Sequence, residues 1–439
     1  MSKFIRTCAT SVAMVAACIA MTAQQASPVT VPAAPALTLA EAEHLAIDHN
    51  PRISIARLLQ LAQVQVTQEV RSAELPTAAA NLTAVDSHSG SRITAGALNN
   101  PIVYERAAGG ITISQLITDF GRTHELVLSA QSHARAQTDV QRATTADIVL
   151  AVDQAFYNAL GCQAVLKVAE QTVAARQATA DQIGALAASK LKSSLDLSFA
   201  NVELSQARLL LLDAHNAAQD SMANLNALLG SEQDEHYSLV DQTPSEAQPA
   251  PEKIDPLVKV AFNSRPDLAA LHENSVAAVQ FSRAEHALSR PTVSALATTG
   301  GTPIRSDQIT SSWYGAVGVN LNIPVFNGFL YSARAREADL RANAAQEEVR
   351  NLRDLIARDV RTSALAAQAA FQRIAVTKQL LDQSNLALDL AQTRYKLGLS
   401  GIVELSQAQL AQTQAEIGYA NARYAYQIAL AVLTFQTGQ

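Results

Sequence analysis

Residues 317–323 read Val-Gly-Val-Asn-Leu-Asn-Ile, a run in which apolar side chains alternate with polar or very small ones. Successive side chains of a β-strand point to opposite faces, so this run predicts a strand with one apolar and one polar face. Such a strand is typical of a membrane β-barrel, where one face meets lipid and the other meets water. A strand of an ordinary β-sandwich shows the same alternation. The run therefore predicts a strand and leaves both settings open.

The same alternation occurs in the first part of the chain. Residues 77–87 and 108–118 both alternate, and the second run places its isoleucines on one face and its hydroxyl side chains on the other. Each alternating run is paired with a neighbour across a loop. We therefore predict two β-hairpins, at 77–118 and at 292–324.

The two hairpins lie at corresponding places of an internal repeat. Matching residues are separated by 215 positions before the first hairpin and by 208 positions after it. A constant offset between landmarks so far apart is unlikely to arise by chance. Prolines and glycines occupy matching positions in the two copies as well, which favours a true repeat. The change of offset places a small length difference within the hairpin. The matching pairs include Pro51 and Pro266, Pro76 and Pro291, Asp196 and Glu404, and Gly230 and Gly438.

The repeat divides the chain into two structural units. The first repeat is predicted at 38–230 and the second at 253–439. A linker at 231–252, which contains three prolines, joins them. Each unit is predicted to contain a helix, a β-hairpin, a long helix and a final helix.

The helices of the first repeat have recognisable ends. Thr38, followed three residues later by Glu41, predicts a capping box, and Pro76 ends this first helix near Leu75. The long helix is predicted from 121 to 188 and would measure about 100 Å. The first and last helices together nearly equal that length, so end to end they would form a second rod beside it. The coiled-coil seam of the long helix consists of Ile148, Val152, Ala155, Ala159, Cys162, Leu166, Ala169 and Val173.

Four predicted strands per chain are too few to close a β-barrel. Open sheet edges are not tolerated in lipid, and the chain beyond its first residues has no apolar run long enough for a transmembrane helix. If the protein spans a membrane, several chains must therefore combine their strands. Three copies would supply 12 strands, an even number in the usual range. The sequence predicts a mainly α fold with a β-barrel part, closed in a homotrimer.

The first 23 residues resemble an export signal. Lys3 and Arg6 precede a modest apolar run, and Ala23 offers a small residue for cleavage. Residues 15–18 also resemble a lipoprotein box, which would make Cys18 a lipid anchor, so both routes stay open. Residues 24–37 are predicted to form an extended tail.

Composition argues against several classes of function. The net charge of -6 provides no basic surface for nucleic acid. No CxxC, HExxH or clustered acidic and histidine residues indicate a metal, and no catalytic triad has supporting context. We therefore expect no cofactor and no enzymatic activity.

Several ordered segments carry a family resemblance that covers the chain from Thr38 to Gly438. They are Asn50-Pro51, Asp119-Phe120-Gly121-Arg122, Arg394-Tyr395-Lys396-Leu397-Gly398, Val403-Glu404-Leu405 and Asn421-Ala422-Arg423-Tyr424. In this order, and within a duplicated frame, they resemble the TolC-like outer membrane efflux protein family.

The resemblance implies an architecture and partners. Family members are trimers whose 12-stranded barrel lies in the lipid of the outer membrane and whose helices form a periplasmic tunnel. They bind a periplasmic adaptor protein at the tip and connect through it to an inner-membrane pump. They export small molecules or polypeptides without chemistry of their own, in tripartite efflux or type I secretion systems. Substrate, adaptor and pump remain open.

The resemblance also implies a pore constriction at the tip of the tunnel. On matching positions Glu404 would supply an acidic ring, Asp196 is its counterpart in the first repeat, and Tyr395 would supply a polar link. Both carboxylates also suit the first turn of a helix, which is the simpler interpretation. The chain departs from the best-described members of the family at two positions: Ser400 stands where a basic partner can occur, and Gln407 stands where a second acidic residue can occur.

A function from another class is a periplasmic coiled-coil adaptor or scaffold without a channel. Such a protein would also have the coiled-coil seam and the export signal. It would not need two duplicated amphipathic hairpins. Recovery of a heat-resistant trimer from the outer membrane would separate the two functions.

Overall fold

The computed structural model describes residues 35–88, 90–91, 103–231, 235–244, 248–251, 253–305, 307 and 310–439. The expected signal peptide, its cleavage after Ala23 and the lipidation of Cys18 lie outside the described residues. Most of the expected tail also lies outside them.

The elements follow the chain in two similar series. The first series is β1 (Ala36–Leu37), α1 (Leu39–His49), α2 (Pro51–Arg71), a 3-10 turn (Ser72–Glu74), β2 (Thr77–Val85), β3 (Arg106–Thr118), α3 (Arg122–Ala188) and α4 (Ser194–Leu229). The second series is β4 (Ser238–Leu239), α5 (Asp255–Ser264), α6 (Pro266–His286), a 3-10 turn (Ala287–Ser289), β5 (Thr292–Arg305), β6 (Trp313–Asn322), α7 (Leu330–Lys396) and α8 (Ile402–Thr437).

Helix lengths confirm the internal repeat. The long helices α3 and α7 both have 67 residues, α4 and α8 both have 36, and α2 and α6 both have 21. Both long helices also begin after two consecutive residues with positive φ. The fold is therefore mainly helical with a four-stranded sheet, and it is built twice from one plan.

The first helix is broken, which corrects the expectation of one helix up to Leu75. The Thr38–Glu41 capping box is present, but α1 ends at His49 and Asn50 is extended (φ -68°, ψ 123°). A residue before proline is disfavoured in the α region, so Pro51 forces the break. The Asn50 side chain then caps α2 by accepting a hydrogen bond from Arg52 N at 2.9 Å.

The final helix of each repeat ends against this break. Gly230 adopts a left-handed conformation (φ 80°), and a Cβ there would lie 2.7 Å from the His49 carbonyl oxygen. Asn50 Nδ2 donates to the Leu228 carbonyl at 2.8 Å. Gly438 makes the same approach to Ser264 in the second repeat. As the lengths predicted, α2 and α4 extend end to end along α3.

The strands form a single antiparallel sheet in the order β2-β3-β5-β6. Each repeat contributes one hairpin, and β3 pairs with β5 to join them. Among the described strands, β2 and β6 each pair with only one other strand, so both are edge strands of the sheet. A separate parallel pair joins β1 to β4, and Leu37 is buried there, so the end of the expected tail belongs to the fold.

The seam of α3 lies in the helical core. Ile148, Val152, Ala155, Ala159 and Ala169 are buried, as the heptad pattern predicts. Ile148, Val152 and Ala155 belong to one cluster, which includes residues of α1, α4 and α8. Within the described residues, none of the helices has an apolar stretch of the length needed to cross a lipid bilayer.

Candidate functional site

The sheet has one apolar face that spans all four strands. The pairing register places Ala78, Ile113, Ala297 and Val317 in one row across the sheet. Side chains in one row of an antiparallel sheet share a face. The apolar side chains of this face include Ala78, Ala80, Leu82, Ile111, Ile113, Val293, Ala295, Ala297, Val317, Val319 and Leu321, and Gln115 and Thr299 are polar exceptions.

The opposite face is mostly polar. Thr112 Oγ1 lies 3.3 Å from Thr298 Oγ1, and the Thr77 and Ser114 hydroxyls lie 3.2 Å apart. These hydroxyl groups form hydrogen bonds with one another across neighbouring strands. The remaining polar side chains of this face include Asn81, Thr83, Thr292, Ser294, Asn320 and Asn322, and Leu296 is an apolar exception.

No part of the chain that the structure describes covers the apolar face. Leu82 is 93% exposed and Val317 is 87% exposed. A soluble monomer seldom leaves such a continuous apolar area in water. The sheet therefore suits lipid on one side and water on the other, and its two unpaired edges require further strands.

The opposite end of the molecule is formed by two helical turns. The turn between α3 and α4 spans 189–193, and the turn between α7 and α8 spans 397–401. Lys190 and Gly398 occupy the same position in the two turns and both have positive φ. We call residues 186–196 and 394–404, centred on these turns, the tip.

Asp196 lies in the first turn of α4 and forms a capping box with Ser193. Its backbone N–H donates to Ser193 Oγ at 3.1 Å, and its carboxylate accepts from the Ser193 backbone N–H at 3.3 Å. Asp196 thus has the role of a carboxylate in the first turn of a helix, which is the simpler of the two roles considered from the sequence.

Glu404 is not an isolated carboxylate. Arg394 Nε lies 2.9 Å from Glu404 Oε1, and both side chains are about half exposed (54% and 46%). Sequence reasoning missed this pair, although one signal was available. Arg394 and Glu404 are equally distant from Leu399 at the centre of the turn, so an antiparallel helical hairpin places them opposite each other.

Tyr395 joins the two repeats at the tip. It is only 9% exposed and packs in a cluster with Ile183, Leu204 and Leu405. Lys192 Nζ, from the turn of the first repeat, lies 4.0 Å from the centre of the tyrosine ring, which is a favourable cation–π distance.

The Tyr395 hydroxyl is buried without a hydrogen-bond partner among the described residues. Burial raises the pKa of Tyr395, and the nearby negative charge of Asp196 raises it further. The structure thus brings Tyr395 near Asp196, whereas Glu404 interacts with Arg394.

Two carboxyl groups elsewhere lie against neighbouring helices, Glu285 buried and Asp153 half-buried. Glu285 of α6 has a side chain only 3% exposed, and it lies 2.7 Å from Arg334 of α7 and 3.9 Å from Arg122 of α3. Burial raises the pKa of Asp153 on α3 to about 7, and the charge of Glu43 on α1 contributes. Glu285 therefore links α6 to both long helices, whereas the negative charge of Asp153 is unfavourable at its position. Across the described ranges, no group of three or more potential ligands is placed to hold a metal ion.

Comparisons with known proteins agree with this architecture. A family model described as outer membrane efflux protein matches residues 43–231 and 257–439. The outer membrane protein TolC of Salmonella enteritidis is 26% identical over 112 residues, which are 26% of this chain and 23% of TolC. The chain thus matches about a quarter of the length of this relative.

Solved structures resemble nearly the whole chain. A membrane protein from Pseudomonas aeruginosa is 23% identical with a TM-score of 0.80, covering 91% of this chain and 92% of that protein. The open state of the Neisseria gonorrhoeae MtrE outer membrane channel is 18% identical with a TM-score of 0.75, covering 91% and 88%. At these identities the likeness establishes the fold.

Proposed function

Because the chain belongs to the outer membrane efflux protein family, we propose that it forms a homotrimeric, passive conduit from the periplasm across the outer membrane. The four-stranded sheets of three chains close into one barrel in the membrane. The helices extend from this barrel into the periplasm as a tunnel. The protein binds and moves solutes without catalysing a reaction.

The main support for this proposal is the arrangement of the four-stranded sheet. Its register produces an apolar face and a polar face across both repeats, and β2 and β6 remain unpaired at the edges. A barrel with lipid outside and water inside requires this distribution. Pairing β6 of one chain with β2 of the next removes every edge, and three chains supply 12 strands.

The tip is the part of the tunnel that suits partner proteins. Leu191, Leu397 and Leu399 are 71%, 68% and 67% exposed at the two turns. Apolar side chains exposed on a turn favour docking of another protein. We assign this surface to a periplasmic adaptor, through which an inner-membrane pump delivers small molecules or polypeptides.

The same tip would form the constriction of the conduit. Glu404 and Asp196 begin neighbouring helices, and Tyr395 lies between the two helical hairpins. A trimer repeats each of these groups three times around one axis. Separating the hairpins would remove the packing of Tyr395 and widen the entrance, so we propose that adaptor contacts open the conduit there.

A periplasmic scaffold without a channel is less well supported, because it has no use for an exposed apolar sheet face. Reconstitution of the purified protein into planar lipid bilayers separates the two functions. A conduit produces discrete conductance steps and is recovered from the outer membrane as a heat-resistant trimer. A scaffold produces no steps and is recovered from the soluble or inner-membrane fraction, and that result would reject the proposal.

A further inference from the structure

The tip carries more basic than acidic side chains. We infer that this charge makes the conduit prefer anionic solutes over cationic ones. The inference rests on the proposed function, since it requires that the tip surround the periplasmic entrance of a channel. It differs from the expectation of an acidic ring, under which cations would be preferred.

The charges can be counted in the two segments that define the tip. Residues 186–196 contain Lys190, Lys192 and a single acid, Asp196. Residues 394–404 contain Arg394, Lys396 and a single acid, Glu404. The tip therefore has four basic and two acidic side chains, a net charge of +2 per chain and +6 in a trimer.

Both acids are engaged within their own hairpins. Arg394 lies 2.9 Å from the Glu404 carboxylate, and the Asp196 carboxylate accepts a hydrogen bond from the Ser193 backbone N–H. An ion pair has little field at a distance, because the two charges nearly cancel. Glu404 therefore contributes little negative potential to the entrance.

The positive charges of the tip lysines are not neutralised by ion pairs of this kind. Lys190 and Lys396 are exposed, and neither has an ion pair with an acidic side chain in the described part of the chain. Lys192 lies over the Tyr395 ring, a contact that leaves its charge in place. The next acids, Asp181 and Asp389, lie about 7 Å farther from the turns along α3 and α7. The outermost layer of the tunnel is consequently positive.

Charge around a narrow entrance determines which ions accumulate there. Rings of lysine and arginine favour anions in pores, and rings of acidic residues favour cations. The effect depends on salt, because the screening length falls from about 10 Å at 0.1 M to about 3 Å at 1 M ionic strength. A preference caused by the tip should thus be strong in dilute salt and weak in molar salt.

The test is the reversal potential of the full-length protein in planar bilayers under a potassium chloride gradient. We expect the wild-type channel to be more permeable to chloride than to potassium. The double variant Lys190→Gln, Lys396→Gln should lower the chloride-to-potassium permeability ratio by about threefold in dilute salt. Arg394→Gln should lower it as well, because it exposes the Glu404 carboxylate.

Lys167→Gln is the matched control. Lys167 is an exposed lysine on α3, about 35 Å from the turn, and its removal should leave the ratio unchanged. Absence of conductance steps in the wild-type protein would reject the proposed function. Steps with a preference for potassium, or a ratio that neither tip variant changes, would reject the inference and leave the conduit intact.

Discussion

Arg394 and Glu404 form an ion pair across the turn between α7 and α8, with Arg394 Nε 2.9 Å from Glu404 Oε1. Among the described residues the first repeat has no such pair, because Leu186 occupies the position that corresponds to Arg394. The two hairpins of one chain therefore carry the same net charge at the tip but differ in how their acidic side chains are paired. This difference determines how the tip responds to substitution.

Removing Glu404 should widen the entrance and increase its positive charge. We expect Glu404→Ala to raise single-channel conductance and to change ion selectivity toward anions, because Arg394 then has no partner. Glu416→Ala, on the same helix but about 18 Å away, is the control and should behave as wild type. Unchanged single-channel behaviour of Glu404→Ala would remove this residue from the constriction.

The Tyr395 ring, rather than its hydroxyl, should hold the two hairpins together. The hydroxyl is buried without a partner, so Tyr395→Phe should change the free energy of unfolding by less than about 0.5 kcal/mol. Tyr395→Ala removes a ring that is 9% exposed and should cost about 3 kcal/mol. Hydrogen exchange at residues 183–204 should increase in the alanine variant alone, and equal exchange in both variants would contradict this role.

The half-buried Asp153 should make stability depend on pH. Its pKa is about 7 in the fold against an ordinary value of 3.8, so the folded state binds the proton more tightly. Stability should therefore fall as pH rises from about 4 to about 7 and remain low above that range. Asp153→Asn should raise the thermal midpoint at pH 8 and flatten this decline.

The exposed Asp181 on the same helix is the control for this pH dependence. Asp181→Asn should leave the pH profile of the thermal midpoint unchanged. A steep decline that persists in Asp153→Asn would assign the pH dependence to another group.

Glu285 should connect α6 to both long helices. Glu285→Gln leaves the charges of Arg334 and Arg122 without their partner, and should destabilise the protein by about 2 kcal/mol. Glu337→Gln breaks an exposed pair with Arg341 and should cost less than about 0.5 kcal/mol. Thermal unfolding of the two variants in one detergent compares them directly, and equal midpoints would contradict the role of Glu285.

The two faces of β6 should differ in their tolerance of charge. Val319→Lys places an ammonium group on the apolar face and should destabilise the assembled barrel by about 2–4 kcal/mol near the middle of the membrane. Asn320→Lys places the same group on the polar face and should assemble normally. The yield of heat-resistant trimer from the outer membrane measures both, and similar yields would contradict the assignment of the faces.

Periodicity and spacing were sufficient to predict the repeat and the strands. Alternation at Val317, Val319 and Leu321 predicted a strand with one apolar and one polar face, and the 208-residue offset related Gly230 to Gly438. The alternation lies within a few neighbouring residues, and the offset is a repeat within the sequence. Both can therefore be read without knowing any contact between distant residues. The break at Asn50 was missed because helical periodicity continues past it, although Pro51 carried the signal.

The contacts at the tip were harder to predict. Lys192 and Tyr395 are 203 residues apart, and their contact exists because the turns of two repeats lie side by side. Nothing in either segment alone specifies that arrangement. The Arg394–Glu404 pair was accessible from the symmetry of one turn, but it requires that the two helices form a hairpin.

The mass of the detergent-extracted protein by light scattering, with the detergent contribution subtracted, tests the closed barrel most directly. We predict the mass of three chains, because four strands with two edges cannot close alone. A monomeric mass for protein that stays folded would contradict it, and the coiled-coil scaffold would then become the better explanation.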